Sequence, residues 1–397
     1  MKRIAILGAG LYNKEVYTKL IAGGYYTIAL DANPNAPSAK FANEFINLDI
    51  SDKEAILNYF QINPVHAIMP INDWGVKTAA YVTTKLGLKG ISEHAALAST
   101  DKGVMRDIWQ VSGLPNPSYF VFSTLEDLEV KIENIGFPCV VKPTDSGGSG
   151  RGISVLKSMN DVKWAYDFAI PFVKNNRLIC EGFVDGIELT IESISFNGEV
   201  FILAISDKEK PDLKTRVATS LNFPAKLTDE QRDLVVKTVK KAVISLGIQN
   251  GMAHTEAIIK DMKIVMVETA ARGGGGHIFH TIIEAVSGIS APILLADILT
   301  GFDKVPEIQF QKGAVYRFFN PPYGILKNVV GIENAKLHPA LLDIGIIKKA
   351  GELVGDLKNS LERAGYIVVE AEDRNKAVYY ADEIEKSVVF EVEKVCE

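Results

Sequence analysis

Short apolar runs of period two alternate with longer runs of helical period from the first residues of the chain. Arg3–Leu7 is an apolar run, Gly8-Ala9-Gly10 turns it, a helix follows to about Ala22, and Thr27–Leu30 returns as a strand. Asp31 closes that strand, Ala67–Pro70 reads as another, and Val76–Leu86 reads as a helix. This β/α alternation predicts an open parallel sheet of the Rossmann kind up to about residue 95. Leu114–Pro117, with two prolines, reads as a linker. Beyond it, strands are expected near Cys139–Lys142, Ile153–Leu156, Leu178–Glu181 and Leu189–Phe196, then a helix over Asp229–Leu246. From about Lys312 the pattern predicts a closing α+β unit, with strands near Ala314–Phe319, Tyr366–Glu370 and Val388–Val392.

The most informative segment is Glu256–Gly276. Ala257–Ile259 and Ile264–Val267 are short, partly β-branched runs around a polar turn, which predicts a buried hairpin. If Asp261, Met262 and Lys263 form the loop, Lys260 pairs with Ile264 and Glu256 stands opposite Glu268. Like charges so placed, with Cβ atoms about 4.5–5.5 Å apart, destabilise a sheet unless something positive sits between them. A bridging divalent cation is one answer, and Mg²⁺ is the usual choice beside phosphates. A turn one residue shorter would instead put the glutamates on opposite faces.

The 397 residues suffice for two or three domains. A net charge of −6, with both signs interspersed, argues against a general nucleic-acid surface but not against a local phosphate pocket. Cys139, Cys180 and Cys396 show no paired spacing, so no disulfide framework or zinc site is expected. The N-terminus shows no signal-peptide pattern, and Ile289–Leu299 is too short and too interrupted to span a bilayer, so a cytoplasmic enzyme is expected.

Two glycine-rich segments invite a ligand. Gly8-Ala9-Gly10 with Asp31 is a weak dinucleotide signal, because Asn13 occupies the third glycine position. Pro143–Gly152, which contains Ser146, Gly147, Gly148, Ser149, Gly150 and Gly152, lies between two strands and can lay backbone N–H groups over phosphate. A mobile hairpin tip is the bland alternative. Lys142 argues against it, since an unpaired ammonium at the end of an apolar run is costly. Taken alone, Lys102 reads as an exposed lysine, and Glu181 and Glu188 as solvated edge charges. His254 shares a strand face with Glu256. Gly273–Gly276 leads into His277, His280 and a helix expected over Ile278–Val286, an arrangement that suits a substrate anion.

In order and approximate spacing, Lys102, Lys142, the glycine loop, Glu181–Val184, Glu188, Glu256, Glu268 and Arg272 resemble the ATP-grasp superfamily. The resemblance covers nearly the whole chain and looks closest to the carboxylate–amine ligase branch that contains bacterial L-amino-acid (dipeptide) ligases. It implies an α/β and α+β chain in three parts. These are a Rossmann-like domain over 1–112, an ATP-grasp domain over 113–312 with a small lid over about 113–184, and a C-terminal α+β unit over 313–397.

The implied roles follow by position. Lys102 and Lys142 contact ATP phosphates, and Ser146–Gly152 closes over them. Glu181, Gly182, Phe183 and Val184 receive adenine, and Glu188 the ribose. Glu256 and Glu268 hold Mg²⁺, or Mn²⁺ in its place. Arg272 and Lys142 are catalytic, Arg272 steadying the transferred phosphoryl. His254, Arg272, Gly275, Gly276 and His277 face the substrate. The family's Glu-x-Asn-x-Arg is here Glu268-Thr269-Ala270-Ala271-Arg272, so one metal ligand is missing unless Thr269 or water supplies it.

The implied reaction joins a carboxylate, amino acids included, to an amine through an acyl phosphate and releases ADP. The partners are small molecules, with no nucleic acid and no membrane, and a homodimer is left open. Alternatives are a ligase acting on bicarbonate or formate with a nucleotide precursor, a non-catalytic nucleotide sensor, and a nicotinamide dehydrogenase.

Overall fold

A computed structural model describes residues 1–145, 147, 150–210, 217–302 and 304–395; Ser146, Gly148, Ser149 and Cys396 lie outside the described residues. Near the N-terminus, Ile4–Leu7 is buried at every position, which marks the inner strand of a sheet covered on both faces. It pairs in parallel with Tyr26–Asp31 and Ala67–Pro70, and Glu44–Asn47 completes a four-stranded parallel sheet. The helix Asp73–Leu86 follows Ala67–Pro70. Asn72 caps its start by accepting from Gly75 N–H, and Gly87 ends it in the left-handed region. Between Gly10 and Lys14 the chain makes a 3₁₀ turn, so the first α-helix runs only over Lys14–Ala22.

An antiparallel sheet of eight strands forms the centre. Its order is Lys263–Ala270, Gly251–Lys260, Ile187–Phe196, Glu199–Glu209, Ser220–Phe223, Gly313–Phe319, Gly365–Ala371 and Leu341–Ile346. Two strands expected in the closing unit, Gly313–Phe319 and Gly365–Ala371, therefore continue the central sheet. The third, Val389–Glu393, pairs with Gly324–Val330 in a separate three-stranded sheet. A small sheet of Tyr119–Phe122, Leu178–Gly182, Cys139–Pro143 and Ser154–Leu156 stands over one edge as a lid. The helix Asp229–Ser245 opens with a capping box between Thr228 and Gln231 and packs its buried face against the hairpin.

The glutamate hairpin corrects the turn and keeps the pairing. Its loop is one residue shorter than the three-residue reading, because Lys260 pairs with Lys263 across Asp261-Met262. That register alone would set Glu256 against Val267. A β-bulge between Glu256 and Ala257 shifts the register, and Glu256 pairs with Glu268 after all. A second correction falls after Gly276. The helix expected over Ile278–Val286 opens as a π-helical turn over Ile278–Ile282, with Ile282 N–H donating to His277 C=O at 3.0 Å, and becomes α-helical only over Ile283–Ser287.

Candidate active site

A cleft of about 780 Å³ lies between the lid, the central sheet and the N-terminal domain, and almost every charged residue singled out above lines it. Lys102 is the first residue of a helix, Lys102–Val111, whose cap is Asp101, accepting from the Gly103 and Val104 N–H groups. Lys102 is buried, and its ammonium meets Glu268 Oε1 at 2.8 Å. Burial works against that charge, but Glu268 and Asp73 outweigh it and hold the pKa above the usual lysine range.

Glu181, at the end of a lid strand, is buried between two cations. Arg106 Nε donates to one of its oxygens at 2.9 Å, and Lys142 Nζ lies 2.7 Å from the other. Burial alone would raise its pKa; the two cations bring it down to about 2. Lys142 shares one carboxylate with Arg106, and burial pulls its own pKa below the usual range. Arg106 also donates to the Val267 carbonyl at 2.6 Å. One buried guanidinium thus ties the lid to the bulge that aligns the glutamates.

Glu188 is held by Lys208 at 2.9 Å and by Lys210, and Lys208 also pairs with Glu256. His254 stands beside Glu256, its Nδ1 2.5 Å from the fully buried Glu192 and its Nε2 3.8 Å from Glu256. Burial disfavours the imidazolium, but Glu192 lifts the pKa of His254 to about 9. The second oxygen of Glu192 accepts from Gly274 N–H at 2.9 Å. Arg272 makes a bidentate pair with Asp73 of the N-terminal domain, both contacts at 2.8 Å.

The residues present fit a divalent cation. Glu256 and Glu268 face each other, and each takes a lysine ammonium, so positive charge is what this spot attracts. Two carboxylates with phosphate oxygens and water form a donor set that suits Mg²⁺. Among the described residues no group of three or more metal-ligating side chains exists. Thr269 does not replace the missing asparagine: it is buried and its hydroxyl bonds that of Thr255 at 3.0 Å, while Ala270 lines the cleft.

Gly147 and Gly150 of the glycine loop line the cleft, whereas a Cβ on Gly152 would meet Phe172 and Pro143. Gly147 lies against the indole of Trp74, which Lys174 caps at 2.6 Å from the ring centroid. Lys77 and Asp145 add a 2.7 Å ion pair between the N-terminal domain and the loop. Gly182, Phe183 and Val184 line the apolar end with Val140, Ile153 and Val155. Gly275 and Gly276 line the other end; Gly276 has φ +62°, and a Cβ there would overlap the Tyr316 hydroxyl.

His277 and His280 are buried instead, His277 among the rings of Tyr12, Tyr316 and Tyr366, and burial takes both pKa values down to about 4. In the N-terminal glycine turn, Asp31 is engaged by Ala9 N–H and Asn33 N–H, both at 2.9 Å. Sequence reasoning missed Arg106, Lys208, Asp73 and Glu192. Each is a lone charge with no motif around it to mark it in the sequence.

Parallel N-terminal sheet, lid, and antiparallel central sheet with opposed carboxylates together make the architecture of an ATP-grasp protein. Residues 135–281 match the ATP-grasp domain model, and residues 317–393 match the model of L-amino acid ligase C-terminal domain 2. The formate-dependent phosphoribosylglycinamide formyltransferase of Pseudomonas syringae pv. tomato is 31% identical over 280 residues, 68% of this chain and 69% of that protein. The alanine–anticapsin ligase of Bacillus subtilis is 31% identical over 271 residues, 62% and 56% of the two chains. The formate-dependent phosphoribosylglycinamide formyltransferase of Rhodococcus jostii is 32% identical over 207 residues, 50% and 51%. The alignments thus span about half to two thirds of these relatives.

Among solved structures, L-amino acid ligase from Bacillus licheniformis superposes with a TM-score of 0.88 at 22% identity, covering 99% of both chains. Phosphoribosylglycinamide synthetase from Anaerococcus prevotii gives 0.76 at 24% identity, covering 99% of this chain and 100% of that one. This chain belongs to the ATP-grasp superfamily, in its carboxylate–amine ligase branch. No single helix among the described residues is long and apolar enough to cross a membrane.

Proposed function

We propose that this protein is an ATP-dependent ligase that joins a carboxylate to an amine and releases ADP and phosphate. One observation carries the reading: Glu256 and Glu268 oppose each other on one wall of a cleft whose other walls bear Lys102, Lys142 and Arg272. In this reading Lys102 and Lys142 bind the triphosphate, the Ser146–Gly152 loop covers it, Glu181–Val184 receive adenine and Glu188 the ribose. Glu256 and Glu268 would hold Mg²⁺, which when bound offsets phosphate charge. The substrate carboxylate attacks the γ-phosphorus, and ADP leaves. The amine then attacks the acyl carbon, the C–O bond to phosphate breaks, and the amine proton passes to solvent. The protein's contribution is positioning and charge stabilisation, with Arg272 turned from Asp73 toward the transferred group.

An ADP-release screen over pairs of L-amino acids, with mass spectrometry of the products, tests this. A ligated product with stoichiometric ADP supports the reading; nicotinamide turnover, or ATP binding with no product, overturns it. Formate with a phosphoribosylated amine forms a second arm, because two of the relatives named are formate-dependent. The division into 1–112, 113–312 and 313–397, the homodimer and a cytoplasmic location belong to the same proposal.

A further inference from the structure

The helix Lys102–Val111 lies along the outer edge of the strand Lys263–Ala270, which ends the central sheet. Lys102, Met105 and Arg106 share one face of that helix. They meet three consecutive residues of the strand. Lys102 reaches the Glu268 carboxylate, the Met105 sulfur accepts from Thr269 N–H at 3.3 Å, and Arg106 donates to the Val267 carbonyl. Val267 is the residue that the bulge leaves unmatched, and it directly precedes Glu268. The start of the same helix touches the lid: Lys102 N–H donates to Thr144 C=O at 3.0 Å, and a Cβ on Gly103 would meet Val121.

Arg106 is fully buried, and its charge is more than Glu181 requires. Lys142 already meets that carboxylate at 2.7 Å, so one anion serves two buried cations. A surplus buried cation costs stability, and Nη1 adds to the cost because it is buried with no hydrogen-bond partner. What Arg106 gains is reach. Its rigid fork sets Nε on Glu181 at 2.9 Å and Nη2 on the Val267 carbonyl at 2.6 Å, while its guanidinium carbon lies 5.3 Å from the Trp109 ring centroid. A lysine ammonium is a point charge on a flexible stem and does not fix two such partners in one plane.

We propose that Arg106 is a positioning residue: by fixing the Val267 carbonyl it holds the Glu268 carboxylate where Glu268 and Glu256 can share a divalent cation. The inference rests on the metal reading of the two glutamates. It predicts a sign that charge alone would reverse. A cation beside a metal site repels the metal, so deleting Arg106 would tighten metal binding if it acted only through its charge. Losing the grip on Val267 should instead weaken it, because groups that orient a metal ligand are typically worth about 10–100-fold in affinity.

The test titrates Mn²⁺ into wild-type, Arg106→Lys, Arg106→Met and Glu268→Gln protein, with and without a non-hydrolysable ATP analogue. Free Mn²⁺ is read by electron paramagnetic resonance, nucleotide affinity is measured separately in EDTA, and ADP release is followed in parallel. Melting temperature checks folding; Arg106→Lys keeps the buried charge and carries the test should Arg106→Met not fold. The expected result is Mn²⁺ affinity about tenfold weaker in both Arg106 variants, with a smaller change in the affinity of Arg106→Lys for nucleotide in EDTA.

Mn²⁺ binding that depends on Glu268 but is unchanged or tighter in the folded Arg106 variants would overturn the proposal and leave the metal reading intact. Mn²⁺ binding that is absent in wild type, or indifferent to Glu268→Gln, would overturn the metal reading and this proposal with it. Arg106-dependent Mn²⁺ binding without ADP release would leave the role of Arg106 standing and count against the ligase reading.

Discussion

Glu256 and Glu268 stand opposite each other because a single bulge at Val267 repairs the register that a two-residue turn would otherwise misalign. Arg106 grips the carbonyl of that bulged residue, so the pairing is held from the side by a buried cation. Replacing either glutamate with glutamine keeps its size and removes its charge. Glu268→Gln is expected to lower kcat for ADP formation by at least 10³-fold while thermal unfolding stays within a few degrees. Steady-state kinetics with calorimetry on the same sample checks both.

Ala270 faces the cleft two residues beyond Glu268 on the same strand face. An asparagine oxygen there would stand beside the carboxylate. Ala270→Asn should therefore lower the Mg²⁺ concentration needed for half-maximal activity, read from Mg²⁺ titrations at fixed ATP. An unchanged requirement in a folded variant would show that water already fills the position.

The Lys142–Glu181–Arg106 cluster predicts a specific acid response. Glu181 has its carboxyl pKa depressed to about 2 in the folded chain, against an ordinary value near 4.5. Its stabilising contribution is thus complete above about pH 4.5 and is lost as pH falls toward 2. Glu181→Gln leaves two buried cations without their anion and should cost about 3–5 kcal/mol at neutral pH. Denaturant unfolding across pH should show the gap between wild type and variant closing only below pH 4.5. A constant gap would mean that Glu181 contributes by shape rather than by charge.

Trp74 is the platform on which the glycine loop rests, with Gly147 on its indole and Lys174 over its ring. Removing the ring should free the loop from the N-terminal domain. Trp74→Ala is expected to raise the KM for ATP five- to twentyfold and to speed limited proteolysis between Asp145 and Arg151, with kcat changed less than threefold.

Legibility from sequence followed the kind of signal each residue carries. The hairpin of Gly251–Lys260 and Lys263–Ala270 was readable because the apolar, partly β-branched runs Ala257–Ile259 and Ile264–Val267 flank a polar turn. The turn length was not, since two- and three-residue loops fit the same polar run and the bulge that reconciles them leaves no mark in composition. The strand Glu199–Glu209 was missed, and with it Lys208, although this lysine neutralises Glu188 and Glu256 together. Asp73, which engages Arg272, lies 199 residues away in the chain, so nothing local links them. After four glycines, His277 read equally as a substrate contact and as a partly buried helix residue; the π-helical turn carries it into the Tyr12–Tyr316–Tyr366 cluster.

Trapping the activated carboxylate tests the central claim most directly. Incubating the protein with ATP, Mg²⁺, hydroxylamine and a panel of L-amino acids should yield an amino-acid hydroxamate with one ADP per product, and Glu268→Gln should yield neither. Formation of AMP and pyrophosphate, or consumption of ATP with no hydroxamate from any carboxylate, would contradict an acyl phosphate formed at Glu256, Glu268 and Arg272.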